Sequence, residues 1–118
     1  MRRKICYITG TRADFGLMRF SLELINKQED LDLEVIVTGQ HLLSEYGNTV
    51  KEIHNAGLNI ISEIKVHLSG ESGAQMATGL AEQLSGITET LKKSRPDIVL
   101  LLGDRGEMLA AAIAALHL

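Results

Sequence analysis

The sequence has little aromatic character and no excess of positive charge. Its 118 residues include no tryptophan, two tyrosines and two phenylalanines, and its formal net charge is -3. So few aromatic rings leave no stacking platform for single-stranded nucleic acid, and the charge gives no basic footprint for a phosphate backbone. We therefore expect no nucleic-acid partner.

Cysteine, long apolar runs and metal motifs are equally scarce. The single cysteine, Cys6, lies in an apolar strand pattern and cannot form an internal disulfide, so we interpret it as a reduced core thiol in a cytoplasmic protein. The basic start of the chain precedes an apolar run too short for a signal peptide or a membrane span. HExxH, cysteine–histidine clusters, GxGxxG and the phosphate-loop motif are all absent. We expect no membrane partner, no metal and no cofactor.

Strand-like and helix-like segments alternate along the whole chain. Because every crossover contains a helix, the sheet should be parallel, with right-handed crossovers. The fold class is therefore α/β, a Rossmann-like parallel sheet whose strand order is 3-2-1-4 if it is doubly wound. The predicted strands are 4–9, 31–38, 58–66 and 97–102, and the predicted helices are 15–28, 49–56, 74–94 and one from near 107.

The first helix and the last strand carry specific packing expectations. We expect Asp14 to cap the helix, and Leu17, Phe20 and Leu24 to mark, with their neighbours, the stripe that packs on the sheet. The run 97–102 is apolar on both faces, which is typical of a strand buried between helices.

Two charged turns should meet at one crevice. The turn GTRAD, residues 10–14, follows strand 1, and GDRGE, residues 103–107, follows strand 4. In the order 3-2-1-4 the winding reverses between these strands, and open α/β sheets bind ligands at such a switch point. The sequence therefore predicts a ligand site between the two turns.

The first turn suits a phosphate or diphosphate. Gly10 permits a tight turn, the following helix offers free N–H groups, and Arg12 adds a charge-assisted donor. The alternative is that Arg12 pairs with a surface carboxylate.

The second turn suits acid–base chemistry. Asp104, at the carboxyl end of a strand, could be a general acid or base whose pKa is set by burial beside Arg105. A helix-capping aspartate is the alternative. Glu107, in the first helical turn, fits a solvated position favoured by the helix dipole. His41, in the loop after strand 2, is the most suggestive of the four histidines.

Three segments, in this order and spacing, resemble the hydrolysing UDP-N-acetylglucosamine 2-epimerases: ITGTRADFGLM, VTGQHLLSEYGNTVKEI and PDIVLLLGDRGEMLAAAIAAL. The resemblance implies the glycosyltransferase-B fold, which has two Rossmann-like domains. It also implies conversion of UDP-GlcNAc and water to ManNAc and UDP in sialic-acid-type sugar synthesis. That reaction removes the proton from the carbon that bears the acetamido group and eliminates UDP in an anti sense to leave a glycal. Water then adds to the glycal.

The resemblance also implies roles for residues in the matching motifs. The diphosphate contacts would be Arg12 and Ala13, the catalytic carboxylate Asp104, its supports Arg105 and Glu107, and a further substrate-binding residue His41. Gly106 departs from the pattern, because family members usually carry a bulky aromatic there.

Family members are roughly three times longer, so residues 1–118 are expected to be a partial amino-terminal Rossmann-like domain, with the second domain absent and the fragment inactive alone. Two alternatives stay open. One is a UDP-diacetamido-sugar 2-epimerase of legionaminic acid synthesis, and the other a non-catalytic nucleotide-sugar binding module. In the order 3-2-1-4 the apolar fourth strand forms an edge without protective charges, so we expect a homo-oligomer.

Overall fold

The computed structural model describes residues 2–42, 49–66 and 72–118. Four strands and four α-helices alternate in these ranges. The strands are β1 (Arg3–Thr9), β2 (Leu31–Thr38), β3 (Ile60–Ile64) and β4 (Ile98–Leu100). The helices are α1 (Arg12–Lys27), α2 (Val50–Asn55), α3 (Gly73–Ser94) and α4 (Gly106–His117), and a 3-10 turn (Gly39–Leu42) follows β2.

The strands form one parallel sheet in the order β3-β2-β1-β4, which confirms the predicted fold class and strand order. The central strand β1 pairs with β2 over its full length, Arg3 opposite Leu31 and Thr9 opposite Val37. It pairs with β4 over only three positions, from Ile98 to Leu100. The fourth strand is therefore shorter than the predicted 97–102.

Successive side chains of β1 enter two different cores, because side chains alternate across a strand. Tyr7 is fully buried against Phe15 and Leu22 of α1 and against α2. Cys6 and Ile8 are fully buried on the opposite face, against α3 and α4. The helices therefore change faces between β1 and β4, which makes the gap between these strands the switch point.

The predicted apolar stripe of α1 is only partly confirmed: the neighbouring Met18 and Ile25 pack against the core, but its three principal residues do not. Leu17, Phe20 and Leu24 are 77%, 79% and 61% exposed, whereas Phe15 and Leu22 are buried. Both stripes have helical spacing, so periodicity alone could not choose between them. Packing against the sheet decides between them and buries the stripe that includes Phe15 and Leu22. The N-cap of the helix is Thr11 rather than the predicted Asp14.

The β4 edge of the sheet leaves apolar side chains exposed. Ile98 is 43% exposed, and Leu109 and Leu116 of α4 are 54% and 82% exposed. The expectation that β4 is buried on both faces is therefore wrong for this chain. Among the residues that the structure describes, no helix combines the length and apolarity needed to cross a membrane.

Candidate functional site

The turn after β1 is built around the carboxylate of Asp14. The N–H groups of Gly10 and Thr11 donate to its Oδ2 at 3.0 and 2.8 Å. The hydroxyls of Tyr7 (2.8 Å) and Thr9 donate to its Oδ1. The Thr11 side chain in turn accepts the N–H of Asp14, which completes a reciprocal capping box. Asp14 is only 8% exposed, so its carboxylate accepts hydrogen bonds from groups of the protein rather than from solvent.

This environment also affects the neighbouring phenol. Burial, and then the negative charge of Asp14, raise the pKa of Tyr7 above its ordinary value. The Tyr7 hydroxyl therefore stays protonated at neutral pH and remains a donor to Asp14.

His41 is fully buried beside the same turn. Its Nε2 lies 2.8 Å from Thr9 Oγ1, and its Nδ1 lies 2.8 Å from Thr49 Oγ1. The ring also meets Phe15 edge to face, with centroids 6.4 Å apart. Burial lowers the pKa of His41, although the nearby carboxylates of Asp14, Glu52 and Glu107 act in the opposite direction.

Glu107 reaches from α4 across the ends of β1 and β2. A Cβ placed on Gly10 would lie 2.7 Å from Glu107 Cγ, and one placed on Gly39 would lie 2.9 Å from Glu107 Oε1. Gly39 also has a φ of +64°, a conformation that other residues adopt only with strain. The two glycines therefore admit a glutamate that is 6% exposed, and the predicted solvated position of Glu107 is wrong.

The same contact unites the two predicted turns, because Gly10 belongs to GTRAD and Glu107 to GDRGE. Arg105 Nε donates to Glu107 Oε2 at 3.3 Å and offsets its charge. Asp104 itself is exposed, so the expected burial beside Arg105 is not found. The N-cap of α4 is Arg105, so Asp104 does not occupy the cap position either.

Arg12 and Ala13 are exposed at the start of α1. The Nε atom of Arg12 lies 3.1 Å from Glu52 Oε1, so the guanidinium is in the surface ion pair that the sequence left open. The N–H groups of Arg12 and Ala13, the first two of the helix, donate to no backbone or side-chain group in the described ranges. A helix start with free N–H groups favours an anion.

The structure thus brings Arg12, Ala13, Arg105, Glu107 and Asp104 to one end of the sheet, with His41 beneath the first turn. Sequence reasoning missed the buried roles of Thr9 and Asp14. Only the spacing of Thr11 and Asp14, a capping-box pattern, could have indicated the latter. In residues 2–42, 49–66 and 72–118, no three His, Cys, Asp or Glu side chains gather where they could hold a metal ion.

A parallel sheet in this strand order, with helices on both faces and a switch point between β1 and β4, defines a Rossmann-like domain. Residues 23–118 match the family model of UDP-N-acetylglucosamine 2-epimerase, and the chain belongs to that family.

Relatives agree over the whole chain. It is 53% identical over 118 residues to the UDP-N,N'-diacetylbacillosamine 2-epimerase (hydrolyzing) of Legionella pneumophila, covering 100% of this chain and 31% of that protein. It is 38% identical over 117 residues to the UDP-N-acetylglucosamine 2-epimerase of Neisseria meningitidis, covering 98% of this chain and 30% of that protein. The chain therefore spans less than a third of the length of these relatives.

The fold also matches a solved structure, UDP-GlcNAc 2-epimerase from Neisseria meningitidis bound to UDP-GlcNAc. The TM-score is 0.79 at 21% identity, over 97% of this chain and 29% of that one. At this identity the match shows the shared fold.

Proposed function

We propose that the protein is a hydrolysing 2-epimerase of UDP-activated acetamido sugars, and that this chain supplies its amino-terminal nucleotide-sugar-binding part. The observation that carries the proposal is the 53% identity, over all 118 residues, to an enzyme named for this reaction. The close approach of Glu107 to Gly10 supports it, because the turns that carry the candidate acid–base and anion-binding groups then lie side by side.

The reaction has two stages, an elimination and a hydration. In the first, a base removes the proton from the sugar carbon that bears the acetamido group. The electron pair forms a double bond to the anomeric carbon as UDP leaves that carbon with its bonding electrons, and a glycal remains. In the second, water adds its hydroxyl to the anomeric carbon, and the acetamido carbon gains a proton on the face opposite to the one that lost its proton. The products are UDP and a free sugar with inverted configuration at the acetamido carbon.

Asp104 is the proposed acid–base group for these proton transfers. Its exposed position at the carboxyl end of β4 leaves it accessible to a sugar in the crevice. Arg105 and Glu107 support it: the Arg105–Glu107 ion pair fixes the first turn of α4, next to Asp104, against Gly10.

Arg12 and Ala13 are the proposed diphosphate contacts. Both offer a free N–H at the start of α1, and Arg12 adds a guanidinium. Its pair with Glu52 is exposed, and exposed ion pairs contribute only about 0–1 kcal/mol. A diphosphate, with more charge than one carboxylate, can therefore take the guanidinium from Glu52. His41 belongs to the same site, beneath this turn.

The favoured substrate is UDP-N,N'-diacetylbacillosamine, because the relative with 53% identity is named for it. UDP-GlcNAc is the second candidate, favoured by the 38% identity to a UDP-N-acetylglucosamine 2-epimerase over 117 residues. Either product would feed the synthesis of a sialic-acid-type sugar.

Two further properties belong to the proposal. Residues 1–118 form a partial Rossmann-like domain that needs a second domain for activity, as coverage of less than a third of the relatives suggests. The buried free thiol of Cys6 fits the reducing cytoplasm.

The exposed apolar edge formed by Ile98, Leu109 and Leu116 should make the isolated chain associate with copies of itself. Light scattering at tens of micromolar tests this expectation. A clean monomer would contradict it.

The function is tested with the full-length gene product in deuterated water. Each UDP-sugar is supplied separately, and UDP release and the sugar product are followed by NMR. We expect UDP release, deuterium at the acetamido carbon of the product, and a higher kcat/KM for the diacetamido sugar. UDP binding without release would show a non-catalytic binding module and refute the proposal.

A further inference from the structure

Four buried or half-buried side chains form a continuous chain of hydrogen bonds beneath the turn after β1. Thr49 Oγ1 meets His41 Nδ1 at 2.8 Å, His41 Nε2 meets Thr9 Oγ1 at 2.8 Å, and Thr9 Oγ1 meets Asp14 Oδ1. Thr9 and His41 are fully buried. This series of hydrogen bonds joins the start of α2 to the carboxylate of Asp14, around which the turn is built.

The direction of each bond follows from what each group can donate. A carboxylate only accepts, so the single hydroxyl proton of Thr9 goes to Asp14. The Thr9 oxygen must then accept from His41, which requires a proton on Nε2. In the neutral ring Nδ1 is left with a lone pair, and the Thr49 hydroxyl donates to it.

Two further observations support the neutral form. Burial lowers the pKa of His41, against the opposing carboxylates of Asp14, Glu52 and Glu107 and a hydrogen bond to the Thr11 backbone. Thr49 stands at the N-cap position of α2, yet its side chain makes no capping bond and its hydroxyl contacts His41 instead. The Thr49 hydroxyl is therefore not engaged in capping α2 and is available to the imidazole.

The far end of the chain sets the diphosphate-binding turn. Asp14 takes the N–H groups of Gly10 and Thr11, which leaves those of Arg12 and Ala13 free at the start of α1. A shift of Asp14 would move all four N–H groups together. Its Oδ1 is held by Tyr7 and Thr9, and Thr9 is held by His41.

We propose that His41 is a positioning residue: as the neutral Nε2–H tautomer it acts through Thr9 and Asp14 to fix the turn that presents the Arg12 and Ala13 N–H groups. Its effect on the diphosphate rests on the proposed function, but its tautomer and its coupling to Thr9 do not. His41 donates to Thr9 and makes no direct contact with the nucleotide.

The first test is spectroscopic and needs no substrate. The full-length protein is labelled with 15N-histidine, and the His41 signals are assigned by their loss in His41→Gln. At neutral pH we expect a protonated Nε2 and an unprotonated Nδ1. A cationic ring, or a proton on Nδ1 alone, would overturn the proposal.

The second test separates positioning from direct contact by calorimetric titration with UDP. His41→Asn places its amide near Nδ1 and loses the donor to Thr9, so we expect about tenfold weaker binding, the equivalent of about 1.4 kcal/mol and of one hydrogen bond. His41→Gln can still place an N–H near Nε2 and should recover most of that loss. The control His54→Asn, at an exposed histidine of α2, should leave UDP affinity unchanged.

A double-mutant cycle completes the test. Thr9→Val breaks the chain one residue further on, so it should weaken UDP binding as much as His41→Asn, and the double variant should be no worse than either. Additive losses, or equal losses for His41→Gln and His41→Asn, would mean that His41 contacts the nucleotide itself and would refute the proposal. If the wild-type protein binds no UDP, the proposed function fails, and the same cycle measured on unfolding free energy, with the NMR signals, still decides the positioning role.

Discussion

The turns after β1 and β4 meet at one end of the sheet but are held in different ways. Residues 10–14 close around a buried aspartate that accepts from two backbone N–H groups and from hydroxyls of the preceding strand. Residues 103–106 are exposed, α4 begins without a side-chain cap, and β4 is only three residues long. The β1 turn is therefore fixed by its own residues together with the buried side chains beneath it. In the β4 turn, Glu107 is held against Gly10 and Gly39.

This difference suits the two proposed tasks. Binding a diphosphate through backbone N–H groups requires a turn that is already in place, since ordering it on binding would cost affinity. An acid–base carboxylate must instead remain accessible to the sugar and can be completed by the second domain. We therefore expect substitutions in the β1 turn to act mainly on stability and binding, and those in the β4 turn mainly on turnover.

The largest effect is expected for Asp14→Asn in the full-length protein. The amide keeps the shape of the carboxylate but accepts fewer hydrogen bonds. Because each buried donor left unsatisfied costs about 1–3 kcal/mol, the free energy of unfolding should fall by about 3 kcal/mol or more. Urea unfolding measures this change, and the dependence of the unfolding free energy on urea concentration should be the same for the wild-type protein and the variant.

The matched control is Asp97→Asn. Asp97 is an exposed aspartate that accepts one N–H, from Lys4 at 2.8 Å. Asp97→Asn should lower the free energy of unfolding by about 1 kcal/mol or less. Equal losses at the two positions would show that the β1 turn is no better fixed than an exposed strand end.

Asp104→Asn should reduce turnover by about 10²-fold while leaving the unfolding curve unchanged, because general acid–base catalysis is worth about that much and the side chain is exposed. UDP release measures the effect. Asp30→Asn makes the same change at an exposed aspartate before β2, at the other end of the sheet, and should leave turnover unaltered. Near-wild-type turnover by Asp104→Asn would remove its catalytic assignment.

Arg12→Ala should weaken UDP binding by about 1.5–3 kcal/mol, the usual size of hydrogen bonds to charged groups. Isothermal titration calorimetry measures the change. Glu52→Ala removes the partner of the ion pair but keeps the arginine, so it should leave the affinity for UDP equal or higher. If Arg12→Ala binds UDP as well as wild type does, the arginine serves only the surface pair.

Gly10→Ala should destabilise the protein by about 1–3 kcal/mol, because its Cβ would lie 2.7 Å from Glu107 Cγ and would displace the side chain that joins the two turns. Gly16→Ala is the matched control in α1. Its Cβ would meet nothing within 4 Å, so the better helix former should stabilise by about 0.4–1 kcal/mol. Stability changes of opposite sign for the two variants, measured by thermal unfolding, would confirm the contact between Gly10 and Glu107. Changes of the same sign would contradict it.

The sequence by itself determined the fold class, the strand order and the end of the sheet at which the two charged turns meet. These follow from local signals: apolar runs predict strands, a helix in every crossover requires parallel pairing, and charged turns after strands 1 and 4 then meet at the switch point. Arg12 and Asp104 became candidates in this way, because each lies in one of these two turns, whereas Ala13 was proposed from the family resemblance alone.

Only the tertiary structure decided which side chains are buried and what they contact. Two stripes of α1 have the same period, and packing against the sheet buries the one that includes Phe15 and Leu22. His41 contacts Thr9 across 32 residues of sequence, and Glu107 fills the space above Gly10. Such contacts depend on how distant elements pack. Local periodicity shows on which face of an element a residue lies, but not which distant side chain it will contact.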